Sequence, residues 1–139
     1  METIRLLVAE DHQAMREKVV GTLKGEYTIV DVVEDGEQML NAESKISPDV
    51  VVLDISMPVM NGLEAASRLK QRESKAKIVF LTVHDEPEYL EAALATGALG
   101  YVIKSRLASD LCLAVREVMA GRRFVSPTLA TAELDQGRL

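Results

Sequence analysis

The sequence predicts an α/β fold: a doubly wound sheet of five parallel strands with five helices. Three observations carry this expectation. Five short apolar runs are nearly continuous in valine, isoleucine and leucine instead of alternating with polar residues. Such runs mark strands covered on both faces. A longer segment with helical apolar spacing follows each run, so the order reads βα five times. No internal repeat or low-complexity tract interrupts the alternation.

The first run is Ile4 to Val8, and a helix is expected from about His12 to Leu23, with Met15, Val19 and Leu23 on one face. Thr28 to Val33 follows, then a short helix from Gly36 to about Glu43 with Met39 and Leu40 inward. The third run is Val50 to Leu53, and Leu63, Ala66 and Leu69 mark the helix after it. Ile78 to Leu81 precedes a helix that begins at Pro87. Proline suits a first helical turn, where its missing N–H leaves no bond unmade. Tyr101 to Ile103 is the fifth run, and Leu107, Leu111, Val115 and Val118 mark the last helix. Gly121 after Ala120 closes that helix, because glycine adopts the left-handed conformation that ends many helices.

Composition bounds the function. The chain has 139 residues, 47% hydrophobic and 27% charged, the balance of one globular domain able to bury a core. Acids outnumber bases 22 to 16, for a net charge of -6, and there is no basic run. Direct contact with nucleic acid is therefore not expected of this segment. The apolar stretch near the N-terminus is too short for a signal peptide or a membrane span. The single cysteine, Cys112, permits no internal disulfide and fits a reducing, cytoplasmic setting. It is expected to be a half-buried or core thiol of the fifth helix.

Ligands of open α/β sheets bind at the carboxyl ends of the strands. Reading only those ends collects Glu10 and Asp11 after the first run, Asp54 after the third, Thr82 closing the fourth and Lys104 after the fifth. Each alone reads more simply as a solvated loop residue or a cap. Together they put three carboxylates, a hydroxyl and an amine on one edge. Three adjacent carboxylates need raised pKa values or a cation to offset their repulsion. Hard oxygen ligands suit Mg²⁺, completed by waters and a substrate phosphate. Asp54 is then a candidate nucleophile that forms an aspartyl-phosphate, with Lys104 and the metal stabilising the phosphoryl oxygens. His12 and His84 read as helix-start or loop residues without a catalytic role.

At these residues the chain resembles the receiver domain of two-component response regulators, over about Ile4 to Ala120. The matching segments are LLVAEDH, VVLDISMPVMNGLEA, IVFLTVHD and ALATGALGYVIKS, and DISMPVMNG is the most specific of them. The segment GALGYVIKSRLASDLCLAVREVMAGRRFVSP further resembles the NarL/FixJ-type subfamily, in which a receiver is joined to a helix-turn-helix domain. The resemblance implies a flavodoxin-like sheet of order 2-1-3-4-5. It implies that Asp54 is the phosphoacceptor and that Glu10, Asp11 and Asp54 hold Mg²⁺ with the backbone carbonyl of Ser56. It further implies that Thr82 is the switch hydroxyl, Tyr101 the switch aromatic and Lys104 the phosphate-pairing lysine. A sensor histidine kinase is the implied partner, with homodimerisation on phosphorylation and no membrane contact. On this reading Tyr101 turns from an exposed to a buried rotamer when Asp54 is phosphorylated.

Two positions depart from the family pattern. Ser105 stands where many receivers carry proline, and a cis bond before a non-proline residue costs about 3 kcal/mol, so Lys104–Ser105 is expected to be trans. Val83 is bulkier than the usual residue after the switch hydroxyl and is expected to narrow access to the phosphoryl site.

Other function classes fit less well. A phosphatase of the haloacid-dehalogenase type needs a second aspartate two residues after the nucleophile, and position 56 is serine. A flavodoxin-like cofactor binder needs a phosphate loop after the first strand, where Glu10 and Asp11 repel phosphate. A phosphorylation-independent interaction module or stand-alone receiver remains the alternative to a signalling switch; the intact constellation argues against the first. Not an enzyme in its own right, the domain is expected only to assist its own phosphorylation and dephosphorylation. Residues 1–122 are expected to form the receiver. Residues 123–139 are expected to be a linker or tail toward a helix-turn-helix output domain that contacts DNA.

Overall fold

The computed structural model describes residues 3–127. In chain order the elements are β1 (Arg5–Ala9), α1 (Gln13–Leu23), β2 (Thr28–Val33), α2 (Gly36–Ile46), β3 (Val50–Leu53), α3 (Gly62–Gln71), β4 (Lys77–Thr82), α4 (Pro87–Ala95) and β5 (Gly100–Ile103). A short 3-10 turn, Lys104–Arg106, leads into α5 (Leu107–Met119), and β6 (Phe124–Val125) follows. The strands form one sheet of order β2-β1-β3-β4-β5-β6, parallel throughout. The five expected strands and helices are present in the expected order.

Strand periodicity explains why the apolar runs are continuous. Successive side chains point to opposite faces. Leu7, Ala9, Val51, Leu53 and Phe80 pack on one face against Met39, Ala65, Leu69, Leu90 and Ala93 of α2, α3 and α4. Leu6, Val8, Val52, Val79 and Val102 pack on the other against Val19, Leu23, Leu111, Val115 and Val118 of α1 and α5. Both faces are covered, so neither set has a polar alternate.

The helix ends follow local chemistry. Asp35 caps α2 by accepting from Gln38 N, and Asn61 caps α3 by accepting from Glu64 N. Pro87 occupies the first turn of α4. At the end of α5, Gly121 has φ +81°, its N–H reaches the Val118 carbonyl at 3.0 Å, and Arg122 N reaches that of Glu117 at 2.9 Å. This paired closure is the Schellman arrangement, and it needs the left-handed residue that glycine supplies.

Two expectations are corrected. Helix α2 continues past Glu43 to Ile46. Glu43 is buried there by Arg72, 2.6 Å away, and Ser74, at 2.7 Å, so its charge belongs to the interior. The segment expected to be a linker from residue 123 begins inside the sheet. Phe124 N bonds the Leu99 carbonyl at 2.9 Å and Ser126 N that of Tyr101 at 3.0 Å, which makes β6 an edge strand on β5. A two-residue strand is too short to show a period. The rest of the expected tail lies outside the described residues. There is no cis peptide bond among the described residues, so Lys104–Ser105 is trans. Cys112 is half-buried, with its thiol on the Thr22 carbonyl at 3.3 Å.

Candidate functional site

Sheet order reverses between β1 and β3, the place where ligands of such sheets bind. The hydrogen-bond ladder runs one residue beyond each strand there. Glu10 N bonds the Val33 carbonyl at 3.0 Å and Asp54 N that of Ala9 at 3.1 Å. The two acids are thus fixed side by side by backbone, at 1% and 3% exposure. Behind Asp54 the chain folds back so closely that a Cβ on Gly62 would lie 2.0 Å from the Asp54 carbonyl oxygen. Only glycine fits there, which gives the last residue of the MNG segment a steric reason.

Lys104, from the turn after β5, crosses to both acids. Its Nζ lies 2.7 Å from Glu10 Oε1 and 3.1 Å from Asp54 Oδ2. Burial pushes the Asp54 carboxyl up to about 6, and the Glu10 charge adds to the rise, while Lys104 opposes it. Glu10 itself is held below the ordinary range: burial would raise it, but the bonds from Lys104 and the His12 backbone outweigh that cost. The Lys104 ammonium is likewise stabilised in its charged form, because the two carboxylates more than offset its desolvation.

Asp11 joins this edge. Ligand atoms of Glu10, Asp11, His12 and Asp54 all lie within 4.8 Å of one another. Glu10 Oε1 and Asp11 Oδ1 are buried and accept no well-formed hydrogen bond; Oε1 is ion-paired with Lys104, and Oδ1 lies 3.1 Å from the exposed His12 ring nitrogen. Buried acceptors left short of donors are what a cation satisfies. The donor set is carboxylate oxygen, which matches Mg²⁺. His12, given no catalytic role by the sequence, stands at the N-cap position of α1 and sits at the rim of this acidic edge. Arg16, also missed, donates to the carbonyls of Glu10 and Asp11, at 3.0 Å each, and so holds the acidic turn in place.

Thr82 and Tyr101 meet at a residue that sequence reasoning passed over. Thr82 is fully buried, and its Oγ1 accepts from His84 N at 3.1 Å. Tyr101 is fully buried too, and its hydroxyl donates to the His84 carbonyl at 2.8 Å. Burial, with the charges of Glu86 and Asp85, raises the Tyr101 phenol so that it remains a donor. The His84 ring lies stacked on Tyr89, centroids 3.9 Å apart, and bonds Ser56 Oγ at 2.8 Å. His84 therefore ties the loop after β3 to the loop after β4. No local pattern signals this, since Ser56 is distant in sequence from His84. Tyr101 was expected to lie exposed until phosphorylation; the structure has it inward, where its hydroxyl donates to a backbone carbonyl. Val83 is 64% exposed.

The family model described as "Response regulator receiver domain" matches residues 6–116. Among curated proteins, the transcriptional regulatory protein DegU of Brevibacillus brevis is 37% identical over 126 residues, 89% of this chain. The chain spans 53% of that relative's length. Among solved structures, a two-component response regulator of the LuxR family from Aurantimonas sp. SI85-9A1 superposes with a TM-score of 0.93 at 28% identity, covering 99% of this chain and 100% of that one. The signal receiver domain of the putative response regulator NarL from Mycobacterium tuberculosis gives 0.84 at 32% identity, covering 88% of this chain and all of that one.

Proposed function

The chain belongs to the response regulator receiver domain family, and from that premise we propose that it is a signalling switch worked by phosphorylation of Asp54. The observation that carries the proposal is the Lys104 ammonium, 3.1 Å from Asp54 Oδ2 in a buried crevice shared with Glu10. A carboxylate held beside a fixed cation is oriented to attack phosphorus and to keep the charge it acquires compensated.

In this reading Asp54 Oδ attacks the phosphoryl group of a phosphohistidine on a sensor histidine kinase. The new O–P bond forms as the P–N bond breaks, and the imidazole leaves. Lys104 pairs with a phosphoryl oxygen. Glu10, Asp11, Asp54 and the Ser56 backbone carbonyl would hold Mg²⁺, which supplies charge neutralisation for the incoming phosphate. The Thr82 hydroxyl then donates to the phosphoryl group. Doing so draws on the same loop whose His84 N–H it now holds.

Its setting is proposed to be cytoplasmic; among the described residues no helix is long and apolar enough to cross a membrane. Phosphorylation is proposed to alter the face formed by α4, β5 and α5, promoting pairing with a second copy or release of a DNA-binding output domain that follows Pro127. Residues 1–122 with the β6 strand would form the receiver, and the remainder would lead to that domain.

The test is incubation with Mg²⁺ and phosphoramidate, followed by intact mass. The parent gains one phosphoryl group and Asp54→Asn gains none. Full labelling of the variant would remove Asp54 from its role.

A further inference from the structure

One charged side chain outside the phosphoryl crevice is almost wholly buried. Asp110, in the first turn of α5, is 4% exposed. Its Oδ2 accepts from Arg106 Nε at 2.8 Å and from Ser126 Oγ at 3.0 Å; its Oδ1 meets Ser109 Oγ at 3.1 Å and Arg106 Nη2 at 3.3 Å. Burial would raise this carboxyl, but the bonds from Arg106, Ser126 and Ser109 hold it below the ordinary range.

Ser126 is fully buried although it follows the edge strand β6. While its Oγ donates to Asp110, the same oxygen accepts from Ile103 N at 3.0 Å, and its backbone N donates to the Tyr101 carbonyl. Ile103 immediately precedes Lys104, and Arg106 ends the turn that Lys104 begins. That turn, KSR, contains neither proline nor glycine to fix or kink it. Its closure rests on the Lys104 carbonyl accepting from Leu107 N. The backbone on both sides of Lys104 is thus fastened to one carboxylate: through Ser126 on the strand side and through the Arg106 guanidinium on the helix side.

We propose that Ser126 and Asp110 are positioning residues for Lys104, so that β6 and the Ser126 that follows it form part of the scaffold of the phosphoryl site. Lys104 has a long, flexible side chain that must reach two carboxylates at once. Its ammonium stays on target only if its backbone is fixed, and catalysis by positioning is lost steeply with small displacements. A pull on the chain beyond Pro127 would reach Lys104 through this clasp, and a shift of Lys104 would reach the exit in return. The inference rests on the receiver reading above for what Lys104 does.

The experiment uses the full 139-residue chain with Ser126→Ala and Asp110→Asn. Three quantities are read: the rate of labelling by phosphoramidate, the Mg²⁺ affinity from amide NMR titration, and the side-chain NMR signal of Lys104. Labelling should slow roughly tenfold, the Lys104 signal should move, and Mg²⁺ affinity should stay at the parent value. Labelling at the parent rate, or slow labelling with the Lys104 signal unmoved, would overturn the proposal. Mg²⁺ affinity falling in step with the labelling rate would also overturn it, because that marks general loosening. Should Ser126→Ala fail to melt cooperatively, Asp110→Asn, nearly isosteric, carries the same test. A parent chain that takes no label refutes the receiver reading itself; a labelled parent with parent-like variants refutes only the clasp.

Discussion

The Tyr101 hydroxyl donates to the backbone carbonyl of His84 across 2.8 Å, inside the protein. The inward ring is therefore compatible with an Asp54 that bears no phosphoryl group, and the loop after β4 is closed on both sides of His84. Tyr101→Phe keeps the packing against Phe80 but leaves that carbonyl without its donor. A loss of about 1 kcal/mol is expected, read as a lower urea midpoint with unchanged slope. Faster amide exchange should be confined to residues near His84. An unchanged midpoint and unchanged exchange would show that the bond does not hold the loop.

Asp54 is a site of electrostatic cost in the metal-free protein. Its folded pKa of about 6 lies above the ordinary aspartate value. The sign follows from linkage: a raised acid contributes its stability at pH below its unfolded value near 4, and that stability is lost as pH rises through 6. Asp54→Asn should accordingly be the more stable protein at pH 8 in EDTA, by on the order of 2 kcal/mol. The advantage should shrink toward pH 4 and on adding Mg²⁺. Melting curves at the two pH values check this. An equal gap at both would contradict the burial of a charged Asp54.

The metal assignment makes a different demand of Asp11. Its Oδ1 is buried without a well-formed hydrogen bond, so Asp11→Ala removes like charge without breaking a strong pairing. The variant is expected to melt at or above the parent temperature in EDTA and to lose Mg²⁺-dependent labelling. Labelling at the parent rate would exclude Asp11 from the metal site.

Thr82 is assigned to coupling more than to chemistry. Its hydroxyl holds His84 N, so Thr82→Ala should still take label at Asp54. Beryllofluoride should then no longer shift the amide signals around Tyr101 and His84, as a ligand moves an equilibrium only by its differential contact with the two states. A parent-like response would assign the coupling elsewhere.

Much of this architecture is written locally. Thr28–Val33 and Val50–Leu53 read as strands from the sequence with the bounds they have in the structure. Once the βα alternation is accepted, the strand ends alone collect Glu10, Asp11, Asp54, Thr82 and Lys104. The structure brings Glu10, Asp54 and Lys104 into direct contact and sets Asp11 beside them. What was not legible depends on contacts between distant residues. His84 matters because Ser56, Tyr89 and Tyr101 converge on it. Glu43 is interior because Arg72 and Ser74 enclose it. Strand β6 exists because β5 offers a free edge, and its two residues carry no period of their own. The rotamer of Tyr101 is likewise set by the loop above it.

Asp54 is expected to be the residue that becomes phosphorylated. After incubation with Mg²⁺ and phosphoramidate, borohydride reduces an acyl phosphate to an alcohol, converting the modified aspartate to homoserine, and peptide mass mapping locates it. Homoserine is expected at position 54 alone, dependent on Mg²⁺ and reduced in Lys104→Ala. Conversion at Glu10 or Asp11, or phosphoryl transfer to the chain with position 54 unchanged, would contradict it.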